Sequence, residues 1–409
     1  MKTVAPFSHP FTMMAKPIGS CCNLACTYCY YKGTAESRGQ GTTLMTMSDT
    51  LLETFIRQYI EAQTVEDVLF TWHGGEPLML SVPFFKKVLK LQERYAQGHR
   101  IHNCLQTNGM LFTEEWCRFL VDNNFLVGIS IDGPRHQHDA YRRNHAGATS
   151  FDKVMKGLEI INRYGVEWNA LATVNHANVR EPQEFYEFFR SIGCRFLQFT
   201  PVVERASLTS HFLPGTTEGG EVLPFSVNPD EWGQFLCEVF DQWVSKDVGS
   251  VFVQLFDATL ANWVGVQPGV CAMGTDCGNA SVIEVDGSVY ACDHFAFPEF
   301  MLGNIQQQTI TSMVYGERLR HFARQKTEAL TPQCQECRFL FACHGECLRN
   351  RFVRDEHGHP GHNYLCRGYY RFFDYVSAAM NYMAGELREC RPPANIMKNT
   401  RYRSSTMMP

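Results

Sequence analysis

Seventeen cysteines stand in this chain of 409 residues, and eleven of them are grouped rather than scattered. Cys22, Cys26 and Cys29 form a Cys-x3-Cys-x2-Cys run near the start. Cys271, Cys277, Cys292, Cys334, Cys337, Cys343, Cys347 and Cys366 follow in the C-terminal third. The opening stretch MKTVAPFSHPFTMMAKPIGS has no apolar signal core, so export and a disulfide framework are disfavoured. Free thiols in a reducing, cytoplasmic setting point instead to metal or redox sites. Eight ligands make two complete sets of four, whereas three fall one short of a set. A structural zinc site closes its four-coordinate sphere. A cluster held by three cysteines leaves one iron free for another ligand. Two zinc sites beside an unrelated triplet are the competing reading. The remaining Cys21, Cys104, Cys117, Cys194, Cys237 and Cys390 read mostly as small buried hydrophobes, with Cys21 ambiguous because it abuts Cys22.

Composition narrows the function classes. Apolar residues make up 44% and charged residues 19%, enough for a sizeable core and against disorder. Lysine plus arginine number 37 against 42 acidic residues, for a net charge of −5 without a basic run. Nucleic-acid and membrane-surface binding are therefore not expected. No apolar stretch approaches the roughly 18 residues of a membrane span.

Short β-branched runs alternate with helical patterns through the first 245 residues. The expected strands are Phe11–Lys16, Val68–Trp72, Cys104–Thr107, Val127–Ile131, Asn169–Val174 and Phe196–Thr200. The expected helices are Ser48–Gln63, Pro83–Gln97, Thr113–Asn124, Ser150–Tyr164, Glu181–Ile192 and Pro229–Lys246. Ser48 and Thr113 read as N-caps, and Gly98, Gly165 and Gly193 stand where helices should stop. Six strand–helix units in sequence imply an α/β fold, a partial (β/α)6 TIM-like barrel. Chemistry then belongs at the C-terminal strand ends. There lie the cysteine triplet, His73-Gly74-Gly75-Glu76-Pro77, Gln106-Thr107-Asn108-Gly109, Ser130-Ile131-Asp132-Gly133-Pro134 and Pro201-Val202-Val203. Residues 204–228 read as a long loop. After Val270 the rhythm is lost, and that segment is expected to be shaped around metal rather than a large apolar core. The resulting division is 1–245, 246–390 and a loosely packed tail, 391–409.

The run Cys22-Asn23-Leu24-Ala25-Cys26-Thr27-Tyr28-Cys29 resembles the signature of radical S-adenosylmethionine (SAM) enzymes. In that family three cysteines hold a 4Fe–4S cluster whose fourth iron chelates the methionine end of SAM, and one electron releases a 5′-deoxyadenosyl radical. The resemblance implies that the Gly75 backbone meets the methionine amine and that Tyr28 lies towards adenine. It also implies that Ser130 and Arg142 reach the methionyl and ribose groups and that Val203 offers backbone to adenine. Bland alternatives stand for two of these: a turn residue at Ser130 and a solvated cation at Arg142.

The later cysteines resemble the SPASM domain, which carries two auxiliary 4Fe–4S clusters. Carried over, one set is Cys271, Cys277, Cys292 and Cys347, and the other is Cys334, Cys337, Cys343 and Cys366. Full sets leave no iron for substrate, which suits electron transfer. Over nearly its whole length the chain is similar to the anaerobic sulfatase-maturating enzymes. These oxidise a cysteine or serine of a sulfatase, in a Cys/Ser-x-Pro-x-Arg motif, to Cα-formylglycine. Asp293 matches the family's proton acceptor, with a turn carboxylate as the bland alternative and His294 as the fallback base. His73 and Tyr31 match positions that face the peptide. A flavodoxin or ferredoxin would supply electrons, and the sulfatase polypeptide is the implied partner. A peptide-crosslinking enzyme of the same superfamily is the second reading, disfavoured because the first ligand arrives at residue 22 without a preceding recognition domain. A non-catalytic zinc scaffold is the third.

Overall fold

The computed structural model describes residues 10–39, 45–206 and 221–399. Residues 207–220 of the expected long loop, and the tail from residue 400, lie outside the described residues. The strands in chain order are β1 (Thr12–Ala15), β2 (Asp67–Trp72), β3 (Arg100–Thr107), β4 (Leu126–Ser130), β5 (Trp168–Val174) and β6 (Phe196–Pro201). They continue as β7 (Phe252–Val253), β8 (Ala280–Ile283), β9 (Ser288–Tyr290), β10 (Met301–Asn304), β11 (Arg351–Arg354) and β12 (Pro360–Asn363). All six expected strands and all six expected helices form, with β3 beginning at Arg100 rather than Cys104. Ser48 Oγ accepts from the Leu51 N–H, and Thr113 Oγ1 accepts from the Trp116 N–H, so both expected caps do their work. Gly165 ends the helix Phe151–Tyr164 at φ +72°, a left-handed conformation that costs glycine little. Among the described residues no helix is long and apolar enough to cross a membrane.

The chain divides into two compact units, the first drawn from Met1–Ser130, Tyr141–Trp168 and Cys277–Arg324. Its strands run in the order β10-β9-β8-β1-β2-β3-β4. β1 to β4 are parallel, and β8 pairs parallel to β1, Met13 facing Ser281, before β9 and β10 turn antiparallel. Strand alternation sends Val68, Phe70 and Trp72 of β2 to one face, where they are buried with Phe55, Tyr59 and Phe85 of the flanking helices. Burying each such side chain contributes about 1.5–3 kcal/mol. The Trp72 indole N–H donates to Asn103 Oδ1 at 2.8 Å, so its polar atom is not left unmet.

The second unit is drawn from Ile131–Ala140, Asn169–Asp276 and Gln325–Pro409, and its strands β5-β6-β7 are parallel. Here the expectation for the C-terminal segment needs correction. The helix Cys366–Arg388 buries Tyr369, Phe372, Phe373, Val376, Met380 and Met383, so an extensive apolar core exists beside the cysteines. Tyr369 meets Trp232 edge-on, and Phe372 stacks on Phe256 and meets Phe240 edge-on. The helix opens on Cys366, and its apolar stripe runs from Tyr369 onward. The tail is corrected too: Ile396 is fully buried, and Asn395 donates to Glu386. Cys390 is exposed, whereas Cys117, Cys194 and Cys237 are buried as expected.

Gly368 and Gly233 let two helices of this unit meet backbone to backbone. A Cβ on Gly368 would lie 2.3 Å from the Pro229 carbonyl oxygen. Glycine to alanine inside a helix ordinarily stabilises by about 1 kcal/mol. At Gly368 the sign should reverse. Gly368→Ala is expected to destabilise by about 1–3 kcal/mol, measured by thermal or urea unfolding.

Candidate active site

The cysteine triplet hangs on short backbone ties. Ala25 N–H donates to the Arg143 carbonyl at 2.7 Å, Thr27 N–H donates to Tyr141 at 3.1 Å, and Leu24 bridges Asn144. These ties bring Arg142 beside Tyr28, the guanidinium 5.6 Å from the ring centroid. Arg142 is only 7% exposed, which removes its reading as a solvated cation. Ser130 is held at the end of β4 by the Gln106 amide, which donates to its hydroxyl at 3.0 Å.

Burial raises the Cys22 thiol to about 12, and Glu76, Cys26 and Cys29 add to the rise, so the three sulfurs share one pocket. The Cys22 thiol would be neutral without a cation to bind its ionised form. Among the described residues no three cysteine sulfurs lie within 4.8 Å of one another. A zinc ion with Zn–S near 2.3 Å would need sulfurs about 3.8 Å apart. In the second unit burial pushes up the Cys343 thiol, with Cys366 and Cys334 nearby, and the Cys366 thiol feels Cys334 and Cys337. The four thiols of the expected second auxiliary set are therefore gathered. Of the first set, Cys277 and Cys292 belong to the first unit, and Cys271 and Cys347 to the second.

Gly75 has a reason for being glycine that sequence did not show. Its Cβ would sit 1.8 Å from the Cys21 carbonyl oxygen, inside the backbone that leads into Cys22. Gly75 N–H donates to the Gly19 carbonyl at 2.7 Å and Glu76 N–H to that of Cys21 at 2.9 Å. Glu76 in turn is fully buried and accepts from Leu78 N–H, Asn108 N–H and the Thr107 hydroxyl at 2.7–2.9 Å. Burial raises its carboxyl to about 7. One carboxylate thus ties the ends of β2 and β3 together under the triplet.

Asp293 follows β9 directly after Cys292. It contacts Lys16 Nζ on one oxygen and the Tyr30 hydroxyl on the other. Burial opposes its ionisation, but Lys16, with His73 and His294, holds the carboxyl well below the usual carboxylate range. A mere turn carboxylate would not be set in such a frame. Behind it, Glu284 is fully buried, 3.1 Å from Arg38 and 3.7 Å from Lys16, and accepts from the Tyr31 hydroxyl at 2.6 Å. Lys16 also lies 3.5 Å over the Tyr31 ring. Tyr31, expected towards the peptide, is buried on this carboxylate. His73 accepts from Gly74 N–H at Nδ1, which leaves its proton on Nε2. His294 packs edge-on against Tyr30, 5.0 Å between centroids. Lys16, Tyr30, Arg38 and Glu284 are not marked by any local pattern, because their partners lie far along the chain, 263 residues for Tyr30 and Asp293 and 253 for Tyr31 and Glu284.

Residues 17–189 match the model of the radical SAM superfamily, and residues 275–338 match the iron-sulfur cluster-binding SPASM domain. A serine-type anaerobic sulfatase-maturating enzyme of Bacteroides thetaiotaomicron is 52% identical over 402 residues, covering 97% of this chain and 96% of its own. The chain belongs to the anaerobic sulfatase-maturating enzymes. A cysteine-type relative of Clostridium perfringens is 30% identical across 93% of this chain and 100% of its own. The solved structure of native anSMEcpe with bound AdoMet and Cp18Cys peptide superimposes with a TM-score of 0.81 at 30% identity, over 93% of this chain and 100% of that one. The fold is therefore the α/β radical SAM fold with a SPASM domain, and the cofactors of this radical SAM oxidoreductase are SAM and 4Fe–4S clusters.

Proposed function

We propose that the chain oxidises the Cβ of a serine in a sulfatase polypeptide to Cα-formylglycine, and accepts cysteine in the same Cys/Ser-x-Pro-x-Arg motif. Serine is put first because the 52% identical relative is named serine-type, whereas the cysteine-type relatives are 30–32% identical. The observation that carries the chemistry is the bond from Tyr30 to Asp293. It joins the residue after Cys29 to the residue after Cys292, so a base stands between the two ends of the reaction.

When bound, SAM and its cluster supply the radical that removes one hydrogen atom from the target Cβ. Cys22, Cys26 and Cys29 would hold that cluster, and Tyr28, Gly75, Ser130, Arg142 and Val203 would receive SAM. The carbon radical left on the substrate makes the neighbouring hydroxyl or thiol far more acidic. Asp293, kept ionised by Lys16, takes that proton, while Tyr30 fixes the orientation of the carboxylate. One further electron must then leave the substrate to complete the C=O or C=S bond, and a thioaldehyde is hydrolysed to the aldehyde. Cys271, Cys277, Cys292 and Cys347, with Cys334, Cys337, Cys343 and Cys366, would hold the auxiliary clusters that accept it. We assign 1–245 to the radical SAM domain, 246–390 to the auxiliary-cluster domain and 391–409 to a tail. A flavodoxin or ferredoxin is the donor that suits the first electron. A reducing cytoplasm suits cysteines that serve as cluster ligands rather than as disulfides.

Paired peptides bearing Ser-x-Pro-x-Arg and Cys-x-Pro-x-Arg test the reading under anaerobic conditions. Both should yield the same aldehyde, captured by a hydrazide and seen by mass spectrometry, with the serine peptide converted at least as fast. Loss of two hydrogens without hydrazide capture would point to a crosslink and sink the proposal.

A further inference from the structure

Between Cys343 and Cys347 the chain makes an unusual turn. His344, Gly345 and Glu346 all take left-handed backbone conformations, at φ +48°, +71° and +53°. Two of the three are not glycine, so this geometry is strained and must be held from outside. Arg351, at the start of β11 and 2% exposed, holds it. Its Nε donates to the Gly345 carbonyl at 2.8 Å, and its Nη2 donates to His344 at 2.9 Å and to Glu346 at 3.4 Å. Its Nη1 reaches the carbonyl of Lys326 at 2.8 Å. A Cβ on Gly345 would stand 2.4 Å from Nη2, so the turn and the guanidinium are fitted to each other.

Lys326 repeats the device at another ligand. Its fully buried ammonium donates to the carbonyl of Cys271, and to that of Ala272 at 3.0 Å. Glu346, between the two ligands, is occupied by neutral donors, accepting from Asn350 at 3.0 Å and Asn363 at 2.7 Å. Burying a guanidinium and an ammonium is costly, and a neutral donor could satisfy these carbonyls as well. A thiolate-held cluster is anionic and gains a further negative charge on reduction. Positive charge at its ligand segments favours that reduced form. The bonds above place the guanidinium within about 10 Å of the Cα atoms of both Cys343 and Cys347, which serve different clusters in the assigned sets.

We propose that Arg351, seconded by Lys326, poises the auxiliary clusters to accept an electron, by holding the Cys343–Cys347 turn and placing positive charge beside its ligands. These are positioning residues, and the inference rests on the assignment of the eight C-terminal cysteines to two 4Fe–4S clusters.

The test uses the full chain reconstituted anaerobically, with Cys22, Cys26 and Cys29 replaced by alanine so that only the auxiliary clusters titrate. Iron content and an EPR-monitored redox titration are read together. Arg351→Gln is expected to keep its iron and to shift the electron equilibrium at least tenfold towards the oxidised form, about 59 mV more negative for one electron. Arg351→Lys, which keeps the charge and loses the fork, should stay near the parent. A full iron complement with an unchanged midpoint in Arg351→Gln overturns the proposal. Where that variant loses iron, Lys326→Gln decides by the same criterion, and iron loss in both overturns it in favour of a purely structural role. Failure of the parent itself to bind two clusters would instead count against the cysteine assignment.

Discussion

Asp293→Asn is expected to keep making 5′-deoxyadenosine while formylglycine production falls by about 10²–10⁴-fold. The asparagine amide fills the same space and can still meet the Tyr30 hydroxyl, so the frame around the site is retained. It cannot accept the substrate proton. Hydrogen abstraction then proceeds, but the radical on the substrate has no route onward and is quenched by the reductant and a solvent proton, so deoxyadenosine accumulates without aldehyde. The direction of the Asp293 shift adds a pH signature. Its carboxyl is held below the usual carboxylate range despite burial, chiefly by Lys16 and then by His73 and His294. A depressed pKa keeps the base ionised as pH falls through the ordinary carboxylate range. The aldehyde yield per deoxyadenosine should therefore stay flat down to about pH 4, where an ordinary aspartate would already have lost about half its charge. Mass spectrometry of peptide and nucleoside from the same reaction measures both. Aldehyde at the parental rate in Asp293→Asn would remove Asp293 as the base.

Gly75→Ala should fail earlier and more completely. The added methyl meets the Cys21 carbonyl at 1.8 Å, and neither partner is a flexible side chain that can swing away. The His73–Pro77 strap or the approach to Cys22 must move by an ångström or more. Displacement of that size at a reacting centre costs on the order of 10²-fold, and overpacking adds about 1–3 kcal/mol of destabilisation. Deoxyadenosine and aldehyde should fall together, with a lower melting temperature, unlike the split expected for Asp293→Asn. Parental deoxyadenosine formation in Gly75→Ala would show that the strap does not set the SAM site.

Sequence alone went far with features that are local in the chain. Cysteine spacing marked the triplet and the later group of eight, and the division of that group into two sets came from the resemblance to the SPASM domain. Hydrophobic period and cap chemistry located six strands and six helices, since Ser48, Thr113 and Gly165 act within a turn of their own position. The helix Cys366–Arg388 escaped because its apolar stripe has meaning only against the helices it covers. Asp293 was a candidate through the resemblance to the family's proton acceptor, but nothing in the sequence said what would keep it ionised. That was decided by Lys16 and Tyr30, brought to it by the pairing of β8 with β1. The reason for glycine at position 75, and the reason for arginine at 351, are likewise contacts between segments. Periodicity and motif spacing record what neighbouring residues must do together. Which distant charges share a buried pocket is settled only when strands pair and the backbone closes, because the energy of such a pair depends on distance and dielectric and not on separation along the chain.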